Sequence, residues 1–292
     1  MRPSSHLVVR LLRGSPRGPG LRRAGSTAVA ACLLVVGCSS GPTYPKERVE
    51  DGLRALCASE HLNASVRFVD HTVAVQLRYP NSLVQHGNQV GIGPAFDEAA
   101  RKAIQSIHRV VLSTNADVRF YVVLISDPKT PGAYLTMVRY LDDVRRAYAN
   151  MLDTPEMYAR TVFELNASGP LPLTLERYVP RDIRLEEFLS WQLARRIQAA
   201  LAETLQASSA AIVGRCGGEF ANGEFVFTLN VAPTTERGLD EATMQQVFQT
   251  SSSVIAKVLS SYKFASFNVV RLIHPPTGRN LVLPKTRLEI FR

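Results

Sequence analysis

A short stretch of local pattern occurs twice along this chain, and no other feature narrows the choice of fold as far. Phe96-Asp97-Glu98-Ala99 opens one amphipathic helix, with Ala100, Ile104, Ile107 and Val111 on one face, and Leu239-Asp240-Glu241-Ala242 opens another. Before the first lie a helix over about Lys46 to Glu60 and a hairpin in which Val73, Val75, Leu77 and Tyr79 alternate with Ala74, Gln76 and Arg78. Before the second lie a long helix from about Asp182 to Leu205 and strands near Ala211 to Arg215 and Phe225 to Val231, with Asn222-Gly223 as turn residues. After each come two more strands: Val118 to Ile125 and Tyr134 to Tyr140, then Phe264 to His274 and Leu281 to Phe291. Asp127 to Gly132 turns the first pair and Pro275 to Gly278 the second, where proline sets φ and glycine permits a left-handed backbone. The offset is 143 residues between Asp97 and Asp240 and 146 between Gly132 and Gly278.

The expected fold class is therefore α+β: two tandem α-ββ-α-ββ repeats with antiparallel sheets covered by helices, joined by a helical connector. The repeats are expected over residues 46–140 and 182–292. Residues 141–181 form the connector, two short helices broken at Asp153-Thr154-Pro155-Glu156, with Thr154 as N-cap, and then a Pro-rich linker over Asn166 to Pro180. Val118 to Ile125 is apolar on both faces and belongs at the centre of its sheet, whereas the other strands predict one helix-covered face per sheet. The unit loosely resembles the BON domain of periplasmic and outer-membrane proteins, whose core is also helix, hairpin, helix and strand. That resemblance spans residues 46–125 and about 182–274, is one of topology, and brings no site residues with it.

The N-terminus carries an address. Arg22 and Arg23 precede an apolar run, Ala28 to Gly37, too short for the roughly 20 residues of a membrane span and suited to a secretory signal. Leu34-Val35-Val36-Gly37-Cys38 resembles the lipobox of bacterial lipoproteins. The resemblance implies cleavage before Cys38, a diacylglyceryl group on its thiol, residues 1–37 as signal peptide and residues 38–45 as a tether. It implies a cell-envelope location, on the periplasmic face of the outer membrane where the host has one. Its implied partner is the membrane, through the anchor.

Charge supports export and argues against nucleic acid. Six arginines and no acidic residue lie in residues 1–37, so the formal +9 falls to +3 from residue 38 onward, 28 basic against 25 acidic side chains. A surface so close to neutral lacks the broad positive field that nucleic-acid binding draws on. Of four cysteines, Cys32 leaves with the signal and Cys38 is acylated, leaving Cys57 and Cys216 in a compartment where disulfides persist. They are a candidate disulfide; two separate buried thiols are the alternative.

The sequence carries no recognisable catalytic, metal or cofactor-binding set. His71, His86, His108 and His274 are scattered, with no H-x-x-x-H, H-E-x-x-H or cysteine–histidine spacing suited to zinc, and read as structural. Asp142 and Asp143 are adjacent on a helix and point apart, so they do not share a site. Gly87 to Pro94 lacks the G-K-[ST] ending of a phosphate loop and reads as a flexible rim loop. Trp191, the one tryptophan, falls just off the apolar stripe of the long helix, a place for packing or partner contact. Arg184, Arg195 and Arg196 on that helix are candidates for anionic headgroups. These observations favour a lipid-anchored, non-enzymatic envelope lipoprotein that binds a protein partner or supports envelope assembly. The rival is an enzyme acting on cell wall or lipid, with its site between the repeats.

Overall fold

The computed structural model describes residues 43–87, 89–167, 174–206, 211–234 and 238–291. Cys38 lies outside the described residues, as do the signal segment and Pro170 and Pro172 of the linker.

In the first half, α1 (Val49–Ser59) buries Val49, Leu53 and Cys57, one residue per turn. β1 (Ala64–Val69) and β2 (Thr72–Arg78) form the expected hairpin. Asp70 takes the left-handed turn position, at φ 49°, which its short polar side chain tolerates. β3 (Leu83–His86) and β4 (Gln89–Ile92) follow as a small second hairpin. The rim-loop reading of this stretch is thus corrected: Leu83 and Val84 pair with Ile92 and Gly91, and the glycines that suggested a loop sit in and beside a ladder. α2 (Phe96–Val111) then crosses the sheet to β5 (Phe120–Ser126), and β6 (Tyr134–Tyr140) returns beside it.

The connector contains α3 (Leu141–Tyr148) and α4 (Thr154–Arg160), followed by β7 (Val162–Asn166) and α5 (Leu175–Tyr178). Asp153, not Thr154, is the N-cap, because its carboxylate accepts the Glu156 N–H at 2.8 Å. The stretch through Leu165 is only partly helical: Val162 to Asn166 pair antiparallel with β6 and extend the sheet. The partner strand overrides a short segment's own preference.

The second half runs α6 (Leu185–Gln206), β8 (Ala211–Val213), β9 (Gly217–Ala221), β10 (Glu224–Thr228), β11 (Val231–Pro233), α7 (Glu241–Ser261), β12 (Val269–His274), β13 (Arg279–Pro284) and α8 (Lys285–Leu288). Two strand assignments move. The partner of β10 across the Asn222-Gly223 turn is Gly217–Ala221, while Ala211–Val213 pairs with β11 in a separate ribbon. The strand expected to reach Phe291 stops at Pro284 and gives way to α8.

The two halves share strand order and sense of pairing. The first sheet is ordered β1-β2-β5-β6-β7 and the second β13-β12-β10-β9. In each, the inner hairpin strand pairs parallel with the strand after the crossing helix, β2 with β5 and β10 with β12. The sheets are therefore mixed rather than antiparallel, since a helical crossover over one face returns the chain in the same direction.

Packing differs between the halves. One face of the first sheet, with Val73, Val75, Tyr121 and Val123, packs under α1 and α2. The other, with Ala74, Phe120, Val122 and Leu124, is covered by Leu175, Val179, Ile183 and Phe188. The first sheet is thus buried on both faces, as the doubly apolar β5 requires, and the expectation of one covered face fails there. The second sheet meets α6 and α7 through Phe225, Phe227, Val270 and Leu272, and its opposite face is partly open.

A buried polar knot ties the connector to the second half. Arg160 donates to Asp143 Oδ1 at 2.8 Å, Glu156 Oε1 at 2.8 Å and Ser261 Oγ at 3.0 Å. Its guanidinium lies 4.5 Å from the centre of the Tyr262 ring. The Tyr262 hydroxyl donates to Asp143 Oδ2 at 2.5 Å, and Gln192 Nε2 donates to that hydroxyl at 2.9 Å and to the Arg160 carbonyl at 2.7 Å. Asp182 adds a second tie, accepting from the Thr72 hydroxyl at 2.6 Å.

Candidate functional site

Beside this knot the two halves leave a cleft of about 770 Å³, within the size range of ligand sites. Its longest wall is α6. Glu187, Trp191, Arg195 and Gln198, spaced three or four apart, line the cleft together with Ala194, while Leu189, Leu193, Ile197 and Leu201 face the core of the second half. Thr136, Val138, Val162 and Glu164 of β6 and β7 form the opposing wall, and Tyr178 to Ile183 close one end. Arg215 to Glu219, leading into and along β9, close the other.

Close packing at α6 and β9 has a specific cause. A Cβ on Gly218 would lie 2.3 Å from the Ser190 carbonyl oxygen and 3.0 Å from Ala194 Cβ, so only glycine lets the helix and strand approach this closely.

Most charges in the cleft are already matched. Glu187 pairs with Arg181 and, at 3.4 Å, with Arg184; the Arg181 hydrogen bond holds its carboxyl down at about 2. Glu164 pairs with Arg215, a link from the first sheet to the second half. Arg196, on the neighbouring face of α6, reaches Glu156 at 2.9 Å. Arg195 and Glu219 differ: neither makes an ion pair among the described residues. Trp191 is 39% exposed, a large indole left open within the cleft. Of Arg184, Arg195 and Arg196, then, the first and last are held by carboxylates, and Arg195 makes no ion pair among the described residues.

Cys216 also lines the cleft, and burial pushes its thiol pKa up, so it is protonated at neutral pH. The candidate disulfide is not formed: Cys57 and Cys216 are both free and buried, in different cores. The physical reason is that α1 packs on α2 and β1, within its own half.

The histidines occupy separate places. His274 is fully buried, its ring nitrogens at 2.7 Å from Thr277 Oγ1 and 2.8 Å from the Val231 carbonyl. His71 Nδ1 lies 2.8 Å from the Asp117 carbonyl oxygen. His108 is the centre of a polar cluster with no sequence signature, 2.8 Å from the Tyr121 hydroxyl and 3.0 Å from that of Tyr148. Arg139 donates to the same Tyr121 hydroxyl at 3.2 Å. Burial, with the Arg139 charge added, pushes His108 down to about 4, so the ring is neutral at pH 7. No group of three or more His, Cys, Asp or Glu converges among the described residues in a way that would hold a metal ion.

No protein-family model matches this chain, and no curated protein matches it. No helix among the described residues is long and apolar enough to cross a membrane.

Sequence reasoning singled out Trp191 and Arg195 on the right helix but did not place them together in a cleft. The signal was there in part, since 187, 191, 195 and 198 share a face. What it faces depends on β7 and β9, which local pattern did not reveal.

Proposed function

We propose that this chain is a lipid-anchored, non-enzymatic lipoprotein of the cell envelope that binds a protein partner in the cleft between its two halves. The anchor rests on the lipobox-like Leu34-Val35-Val36-Gly37-Cys38. The cleft carries the binding role, and one observation weighs most: an open indole, Trp191, stands one helical turn from the guanidinium of Arg195, which makes no ion pair among the described residues. Tryptophan and arginine are the residues that most often dominate the energetics of protein interfaces. The carboxylates Glu164 and Glu187 are engaged by arginines and the cleft thiol is protonated, which suits recognition better than proton transfer or nucleophilic attack.

A photoreactive amino acid in place of Trp191, expressed in native membranes, tests the binding role. A discrete crosslinked adduct is expected from position 191 and none from Ile290, which is 79% exposed on the last short helical turn. Equal labelling from both positions, or none from 191, counts against the cleft. Metabolic fatty-acid labelling tests the anchor separately: label is expected in the wild type and lost in Cys38→Ala.

A further inference from the structure

Both sheets turn an edge toward the cleft. β7 ends the first sheet and β9 ends the second, and residues of both line the same space. An edge strand carries N–H and C=O groups with no ladder partner on its outer side, a template for another strand. Among the described residues, no main-chain group of Gly217–Ala221 hydrogen-bonds outside the ladder with β10.

The two glycines that begin β9 are bare for different reasons. Gly218 is required by α6, whose Ser190 carbonyl leaves no room for a Cβ. Gly217 is required by neither packing nor backbone: a Cβ there would meet only Thr228 Cβ, at an ordinary 3.7 Å, and its φ is not positive. An exposed strand position of this kind favours a β-branched residue. Glycine instead leaves the backbone reachable from the cleft, as where a second backbone approaches closely.

Charge narrows the occupant. With Glu164 and Glu187 engaged, Arg195 and Glu219 line the cleft without an ion pair among the described residues. The complement is a ligand that carries both signs along an extended backbone, with an apolar side chain for Trp191.

We propose that the cleft takes an extended polypeptide segment of the partner, added as a strand to the outer edge of β9. Main-chain bonds to β9 supply affinity, and Arg195, Glu219 and Trp191 supply selection among side chains. This rests on the proposed function and specifies what the partner inserts.

The probe is a library of displayed random peptides of about 12 residues, ample for the five residues of β9, selected on the purified full-length protein in detergent. Trp191, the chain's single tryptophan, reports binding directly by its fluorescence. Selected peptides are expected to carry an acidic, a basic and an apolar residue, and to lose affinity about tenfold or more to Gly217→Val, whose far-UV spectrum and melting temperature match the wild type. A scan with N-methylated backbones on the wild-type protein is independent of any folding defect. Loss at alternate peptide positions is expected, since only every second residue of an added strand bonds to the edge. Failure to enrich any peptide overturns the proposal. Peptides that change Trp191 fluorescence but tolerate both N-methylation and Gly217→Val also overturn strand addition, while leaving partner binding in the cleft intact. Crosslinking at position 191 that fails in membranes instead removes the underlying function.

Discussion

Replacing Arg160 with methionine leaves the Asp143 carboxylate, in the knot between the connector and the second half, with only the longer 3.8 Å contact to the partly exposed Arg146 as its cation among the described residues. The Arg160 and Asp143 side chains are both 3% exposed, so the charge left behind cannot be rescued by water. Removing one partner of a buried pair costs about 3–5 kcal/mol, chiefly from the uncompensated ion, and domain stabilities are only about 5–15 kcal/mol. Arg160→Met should fall toward the lower end of that range, because Arg146 stays 3.8 Å from Asp143 Oδ1 and the Tyr262 hydroxyl remains as an uncharged donor. The double variant Asp143→Leu/Arg160→Met should lie within about 1–2 kcal/mol of the wild type, since the buried charge is gone and the volume is kept. Acid separates the two effects. Burial already pushes the Asp143 carboxyl above its ordinary value with the guanidinium in place, and removing Arg160 takes away an opposing influence, so the folded variant binds a proton first and more strongly. The single variant therefore recovers stability as pH falls from 7 toward the unfolded carboxylate pKa, and the double variant does not. Urea denaturation followed by circular dichroism at pH 7 and 4.5 measures both. A single variant within 1 kcal/mol of wild type, or a double variant as costly as the single, refutes the reasoning.

Three further outcomes are expected. His108, lowered from 6.5 to about 4, is protonated in the unfolded chain before the folded one, so stability declines as pH falls through that window, by about 3 kcal/mol at most and less where water reaches the ring beside Tyr148. His108→Gln should flatten this slope, and identical pH dependence of urea midpoints in variant and wild type would count against it. Gly218→Val drives a side chain into the Ser190 carbonyl and should cost about 3 kcal/mol, against a near-neutral Gly217→Val; equal thermal shifts would contradict the packing argument. Alkylation of unreduced, denatured protein followed by intact-mass analysis should find both Cys57 and Cys216 modified, with Cys57 slow in the native state because burial lifts its thiol to about 11.

What the sequence determined by itself was local. The helices around Leu53, Ile107 and Leu193 follow from apolar spacing of three and four, the first hairpin from alternation flanking Asp70-His71, and the second turn from Asn222-Gly223, though not the strand that enters it. Those signals act over a few residues, and they also carried the α+β class. Tertiary structure decided the rest, because the deciding contacts join residues far apart. Val162–Asn166 is a strand because β6 offers it a ladder, and the central pairs are parallel because α2 and α7 cross over one face. Cys57 and Cys216 stay apart because α1 packs within its own half. The cleft exists only where α6 meets two sheet edges, and neither edge can be read from residues 187 to 198 alone. Periodicity says which side of a helix is apolar; the partner on the other side is set by the whole chain's packing, in which burial and backbone pairing must be satisfied together.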